Sequence, residues 1–190
     1  FYYDGLDIID WVKNHRREYF SNRGFELVGI ETPISYEIKN GIYMKGYIDL
    51  VIRDTIHNMY KIIDLKTSSR GWNKYQKSDP MKTSQLIIYK EYYAKQYNVP
   101  VDNIDVEFII LKRKLFESSA FPQKRIQKIT PASGNVTRKR VRTSVENFID
   151  NAFDDKGDYV VKEYKTNPSK KACRWCEFKD NKELCKDGVK

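Results

Sequence analysis

The 190-residue chain reads as an α/β domain, with a mixed central sheet flanked by helices. Three features lead there. An amphipathic helix is followed by several β-rich runs. A long helical segment opened by Asp79-Pro80 then leads to a short, very apolar strand. A more polar strand and a second amphipathic helix complete the order.

In chain order, residues 7 to 21 are expected to be helical. Ile8, Val12, His15 and Tyr19 fall on one stripe, Asp4 or Asp7 can cap the start, and Arg23-Gly24 ends it. Residues 25 to 32 form a strand stopped by Pro33. Residues 36 to 38 pair with 42 to 44 around Asn40-Gly41, a favoured hairpin turn. Two further strands carry Asp49 and Asp64, joined by a turn at 53 to 58. A polar loop at 67 to 78 precedes Asp79-Pro80, where Asp caps and Pro suits the first helical turn. That helix runs to Tyr97 and closes at Asn98-Val99-Pro100. Residues 106 to 111 have the apolar character of a strand buried on both faces. Residues 123 to 130 form a more polar strand, and 131 to 135 a turn. Val141, Val145, Phe148 and Ile149 mark the last helix. Thr143-Ser144-Val145-Glu146 has the form of a capping box, although a start near Thr137 would make that match a coincidence.

One domain over residues 1 to 190 is expected, with a cysteine-bearing tail from 170. The chain opens at Phe1, not methionine, so a missing upstream segment is also expected. The net charge of +9 is concentrated: residues 112 to 143 hold ten basic groups and one acid, Glu117, which equals the whole excess. Such a segment suits a phosphate backbone or, equally, a solvated surface. No window resembles a membrane span or a secretory leader, and three cysteines are too few and too odd for a disulfide framework. Both point to a reducing cytoplasm.

The residues that carry chemistry are Asp49, Asp64 and Lys66. They stand in Gly46-Tyr47-Ile48-Asp49 and Asp64-Leu65-Lys66-Thr67, both flanked by aliphatic residues. Alternation puts Asp64 and Lys66 on one face, and Asp49 can lie beside Asp64 on the paired strand. Two carboxylates and the Leu65 carbonyl are hard donors suited to Mg2+ or Mn2+. Lys66 can hold or deprotonate an attacking water, or steady a pentacovalent phosphate. Solvated hairpin charges are the bland alternative, but charges inside so apolar a pair of strands need a partner or a metal.

The pattern Gly46-x-Ile48-Asp49, Asp64-x-Lys66 and Gln85-x-x-x-Tyr89 resembles the PD-(D/E)XK nuclease superfamily, over roughly residues 25 to 185. The Gln-x-x-x-Tyr element resembles its RecB-like branch of phage and CRISPR-associated exonucleases. The resemblance implies a restriction-endonuclease-like core, metal-dependent DNA cleavage, and Asp49, Asp64 and Lys66 as the catalytic set. It implies that Gln85 and Tyr89 face the active site, where Tyr89 as plain core is the alternative. It implies a further upstream metal ligand: Glu31 is the candidate within the chain, unless that ligand precedes Phe1. His15 is taken as an ordinary amphipathic-face residue. An exonuclease of recombination, repair or phage DNA processing is implied, in a bacterial or phage-infected cytoplasm, with a helicase or recombination protein as a further partner. A nuclease-fold module that binds DNA or assembles with a motor, but has lost cleavage, is the alternative.

Cys173, Cys176 and Cys185 form a C-x-x-C followed by a third thiol. Similar nucleases with an iron–sulfur cluster use three such cysteines and one far upstream, so a cluster is implied here only if a further cysteine precedes Phe1. Zinc with a histidine, and reduced thiols packed around Trp175 and Phe178, remain alternatives. The loop around Arg70 and Trp72 can grip single-stranded DNA or cover the sheet.

Overall fold

Successive strands of this chain alternate apolar side chains between two helical layers. The computed structural model describes residues 1–20 and 23–189. The chain divides into two compact units, Phe1–Asp158 and Tyr159–Lys190.

In the first unit, α1 (Tyr2–Tyr19) leads into β1 (Phe25–Lys39), β2 (Ile42–Asp54) and β3 (Met59–Ser68), which pair antiparallel in turn. A one-turn α2 (Lys74–Lys77) and α3 (Pro80–Gln96) cross over to β4 (Ile104–Lys112), parallel to β3. β5 (Ile126–Ile129) returns antiparallel, and α4 (Asn135–Ala152) follows. The sheet order is β1-β2-β3-β4-β5. The expected α/β architecture, a mixed sheet flanked by helices, is what forms.

Two apolar layers hold it. On one face Leu86 and Ile87 of α3 and Val141 of α4 pack on Ile62, Val106, Phe108 and Ile110. On the other, Trp11 and Val12 of α1 pack against Ile52, Ile63, Ile109 and Ile126. β4 therefore feeds both layers, as its apolar run, interrupted at Glu107, indicated. Each such aliphatic side chain, fully buried, contributes about 1.5–3 kcal/mol of transfer free energy.

Several boundaries differ from expectation for identifiable reasons. α1 starts at Tyr2 and ends at Tyr19; Ser21, its expected last residue, and Lys190 of the tail lie outside the described residues. Pro33 does not stop β1, which runs on to Lys39. β1 is an edge strand, where a missing N–H can face outward without breaking a ladder. The Asn40-Gly41 turn forms as expected, with φ of +43° and +78°. α3 starts where expected, the Asp79 carboxylate accepting from Met81 N–H at 3.0 Å. α4 starts at Asn135, so Thr143 to Glu146 lie mid-helix and the capping-box match is a coincidence. α2 was not foreseen, although Asn73 and Gln76 form a true capping box.

In the second unit, α5 (Lys170–Cys173) is capped by Ser169, whose hydroxyl accepts from Ala172 N–H at 3.0 Å. Among the described residues no helix is long and apolar enough to cross a membrane.

Candidate active site

The ladder between β2 and β3 ends at Leu50–Ile63. From there β2 continues beside β1, while β3 continues beside β4. The sheet splits, and Asp49, Asp64 and Lys66 stand at the mouth of the split. Asp49 closes it with its side chain: Oδ2 accepts from the Leu65 backbone N–H at 2.6 Å.

Asp64 is 2% exposed and Lys66 Nζ lies 2.8 Å from its Oδ2. That oxygen has no hydrogen bond apart from this ion pair among the described residues. Burial pushes the Asp64 carboxyl above its ordinary value; Lys66 opposes this and the charge of Asp49 adds to it. A carboxylate kept in so poor a place for an anion is a common mark of a functional site. Lys66 keeps 36% of its side chain exposed, so its ammonium meets both Asp64 and solvent.

Asp49 reaches this side through an irregularity. Ile48 and Val51 both belong to the α3-side core, yet are three residues apart, so strict alternation slips once between them. Across the ladder, Glu31 lies between the rungs Ile30–Leu50 and Thr32–Ile48, with a left-handed φ of +47°. Such a backbone is unfavourable for a non-glycine residue and clusters at functional sites. Glu31 is exposed.

Tyr89 of α3 is buried in the core, and its hydroxyl accepts from Gln85 Nε2 at 3.2 Å. A Cβ at position 46 would sit 3.1 Å from Tyr89 Cε1, so Gly46 allows the ring to approach β2. Gly46 lies three residues, or about 10 Å of strand, from Asp49. Tyr89 is thus both core and neighbour of the split.

Other candidates fall elsewhere. Among the described residues no group of three or more His, Cys, Asp or Glu side chains could hold a metal ion. Glu31 is therefore not gathered with Asp49 and Asp64. Cys173, Cys176 and Cys185 carry free thiols, and the three do not come together as a group that could hold a metal ion. His15 stacks on Trp11 at 3.8 Å. Trp72 is buried against Phe108 at 5.1 Å, which makes it a cover for the sheet. The basic segment is half spent on folding. Among the described residues Lys124 pairs with Glu18, Arg125 with Asp7, Lys128 with Glu107, and Arg138 and Arg142 with Glu91.

One feature escaped the sequence. A groove of about 660 Å3 lies between α3 and α4, walled by Gln85 and Tyr89 and by Phe148. Phe148, one of the apolar residues that mark the last helix, is 65% exposed. The signal available was a second apolar residue beside Ile149, more than one stripe needs.

A family model described as the PD-(D/E)XK nuclease superfamily matches residues 8–181. The chain belongs to this superfamily. Its mixed five-stranded sheet flanked by helices is consistent with the restriction-endonuclease-like fold of PD-(D/E)XK nucleases. Membership supports nucleic-acid hydrolysis as the class of activity, with DNA the implied substrate. PD-(D/E)XK nucleases usually use divalent cations such as Mg2+ or Mn2+. Comparison with curated proteins found no match.

The donor set fits such a cation. It offers a half-buried carboxylate at Asp49, a buried carboxylate at Asp64 whose Oδ2 is satisfied by one ammonium alone, and the carbonyl of Leu65 between Asp64 and Lys66. These are hard oxygens, and a cation there would offset the burial of Asp64.

Proposed function

We propose that this chain is a Mg2+- or Mn2+-dependent deoxyribonuclease of the RecB-like branch, acting as an exonuclease on DNA ends. The observation that carries it is the buried Asp64 carboxylate, paired with Lys66 beside Asp49 where the sheet splits, and raised above its ordinary value by burial.

Asp49, Asp64 and the Leu65 carbonyl would hold the cation, with water completing the shell. Bound there, a divalent cation lowers the pKa of water and neutralises charge on the phosphate. Hydrolysis adds the water oxygen to phosphorus, with that water's proton passing to solvent, and breaks the bond to the departing strand's oxygen, which takes up a proton from water. Lys66 orients the attacking water from the solvent side and donates to the phosphate oxygens as charge builds. Asp64 holds the Lys66 ammonium in place. Asp49 keeps β3 at a fixed distance through Leu65 N–H. Gln85 and Tyr89 steady the strand leading away from the cut.

The Gln85-x-x-x-Tyr89 pair on one helical face supports the branch. Asp49, Asp64 and Lys66 serve the chemistry, and a helicase or recombination protein would supply DNA ends. A second reading has one observation behind it. Since no third carboxylate is gathered with Asp49 and Asp64 among the described residues, the domain could bind DNA or assemble with a motor without cutting.

The test is degradation of end-labelled linear DNA and of closed circular DNA. Loss of linear DNA in Mg2+, arrest by EDTA and survival of the circle are expected. Cutting that continues undiminished in EDTA contradicts metal dependence, and cutting of the circle contradicts the exonuclease.

A further inference from the structure

We propose that the groove between α3 and α4 receives the unstacked bases of a single DNA strand running from the candidate cleavage site. The proposal deepens the nuclease reading and rests on it for the identity of the strand.

Continuity is the first support. β2 is a common rail: Asp49 stands at the split, Gly46 meets the Tyr89 ring, and Met44 lines the groove. Met44, Gly46 and Ile48 share the α3 side of β2 by alternation, and Gln85 and Tyr89 wall the groove. A strand held at the split and extending along β2 reaches the groove over the Tyr89 ring, which stands on β2 at Gly46 between the two.

The lining is the second. Met44, Met81, Ile88, Val145 and Phe148 make it apolar, and its charged member is Arg140. A track for a phosphate backbone would be basic. This one offers a ring, thioethers and aliphatic surface to flat apolar faces, with one cation for a phosphate or for stacking. Paired duplex bases keep those faces inside the stack, whereas a single strand presents them. At about 660 Å3 the groove lies within the ~300–1,000 Å3 of small-ligand sites, suited to a few rings.

Availability is the third. Phe148 is 65% exposed and Met81 is 85% exposed, both at the rim. Phe148 meets Phe153 edge-on at 6.3 Å, which leaves a ring face open. The basic segment points the same way: among the described residues Lys124, Arg125, Lys128, Arg138 and Arg142 are held by carboxylates, while no ion pair engages Arg140 at the groove.

Binding in EDTA separates this site from cleavage. The probes are a labelled single strand, the same strand with an abasic stretch, and a blunt duplex, read by fluorescence anisotropy. Wild type should bind the ordinary strand roughly ten-fold tighter than the abasic strand, which carries the same phosphates, and tighter than the duplex. Phe148→Ala and Met81→Ala should each reduce that preference without altering affinity for the abasic strand. Both side chains are solvent-exposed, and unchanged melting curves would verify their folds.

Equal binding of ordinary and abasic strands by wild type overturns the proposal. So does equal loss of affinity for both strands in Phe148→Ala, or no loss in either variant; the last is what a groove reserved for a protein helix would give. The same preparation assayed in Mg2+ keeps the two readings apart. Base-dependent binding without cleavage removes the nuclease and keeps the groove, while cleavage without base dependence removes the groove alone.

Discussion

Asp49 fastens its strand to the next: its Oδ2 accepts from the Leu65 backbone N–H at 2.6 Å, just past the last rung of the β2–β3 ladder. The side chain does there what a backbone carbonyl does elsewhere in the sheet, and it brings a negative charge to Asp64. Structure and charge can be separated. Asp49→Asn keeps an acceptor for Leu65 N–H and should melt close to wild type while losing roughly 10²–10³-fold in cleavage. Asp49→Ala leaves that N–H without its partner and should lose about 1–3 kcal/mol as well. Thermal melts beside cleavage rates check both, and full activity in Asp49→Asn would remove Asp49 from the site.

Asp64 predicts an unusual pH dependence. Its carboxyl is raised above the ordinary 3.8 by burial. The folded chain holds that proton more tightly than the unfolded chain, so ionisation takes stability away as pH climbs from 3.8 through the raised value. Asp64→Asn cannot ionise. At neutral pH it should be more stable than wild type by on the order of 1 kcal/mol, roughly 2–4 °C, with the gap closing as pH falls toward the ordinary value. Millimolar Mg2+ should raise the melting temperature of wild type and not of the variant. Calorimetry across pH, with and without Mg2+, reads both effects; a variant less stable at neutral pH would contradict them.

Gly46 predicts a contact-driven defect. A methyl group there would press within 3.1 Å of Tyr89 Cε1, and that ring is buried and tied to Gln85. Gly46→Ala should destabilise by about 1–3 kcal/mol and slow cleavage together. Tyr89→Phe keeps the ring and removes the Gln85 bond, so it should be milder in stability. Denaturant melts and cleavage rates distinguish them, and an innocuous Gly46→Ala would show that the ring can yield.

The basic segment divides into structural and free cations. Arg138 is buried, with Nε 3.5 Å from Glu91 and Nη2 3.4 Å from Asp102. Arg138→Ala leaves Glu91 half-buried with Arg142 alone and should cost about 3 kcal/mol. Arg140→Ala should leave stability unchanged and lower the salt slope of DNA binding by about one. Melting curves and binding across salt concentrations test the pair.

The helices and strands were legible because their periods were clean: Asp79-Pro80 opens α3, and Val106, Phe108 and Ile110 alternate with Ile109 as a twice-buried strand must. The pairing of Asp64 with Lys66 was legible for the same reason, since period two puts them on one side. The side that Asp49 takes was not. It depends on a slip between Ile48 and Val51, opposite the left-handed Glu31, and a glutamate in a strand carries no signal of positive φ. Pro33 misled because the sequence does not say which strand is at an edge. The ion pairs of the basic run were not legible because its acids, Asp7, Glu18, Glu91 and Glu107, are remote in sequence and near in space. The groove was hidden because it needs α3 and α4 side by side.

The decisive measurement is the cleavage rate of end-labelled DNA in Mg2+ by wild type and by Lys66→Ala, with folding and DNA affinity measured on the same samples. The ammonium lies 2.8 Å from the buried Asp64 carboxylate, so its removal leaves that carboxylate without its partner and should cost about 3 kcal/mol, while the folded fraction keeps its DNA binding. Cleavage is expected to fall by at least 10²-fold. Cleavage by Lys66→Ala at the wild-type rate would contradict a hydrolytic site built from Asp49, Asp64 and Lys66.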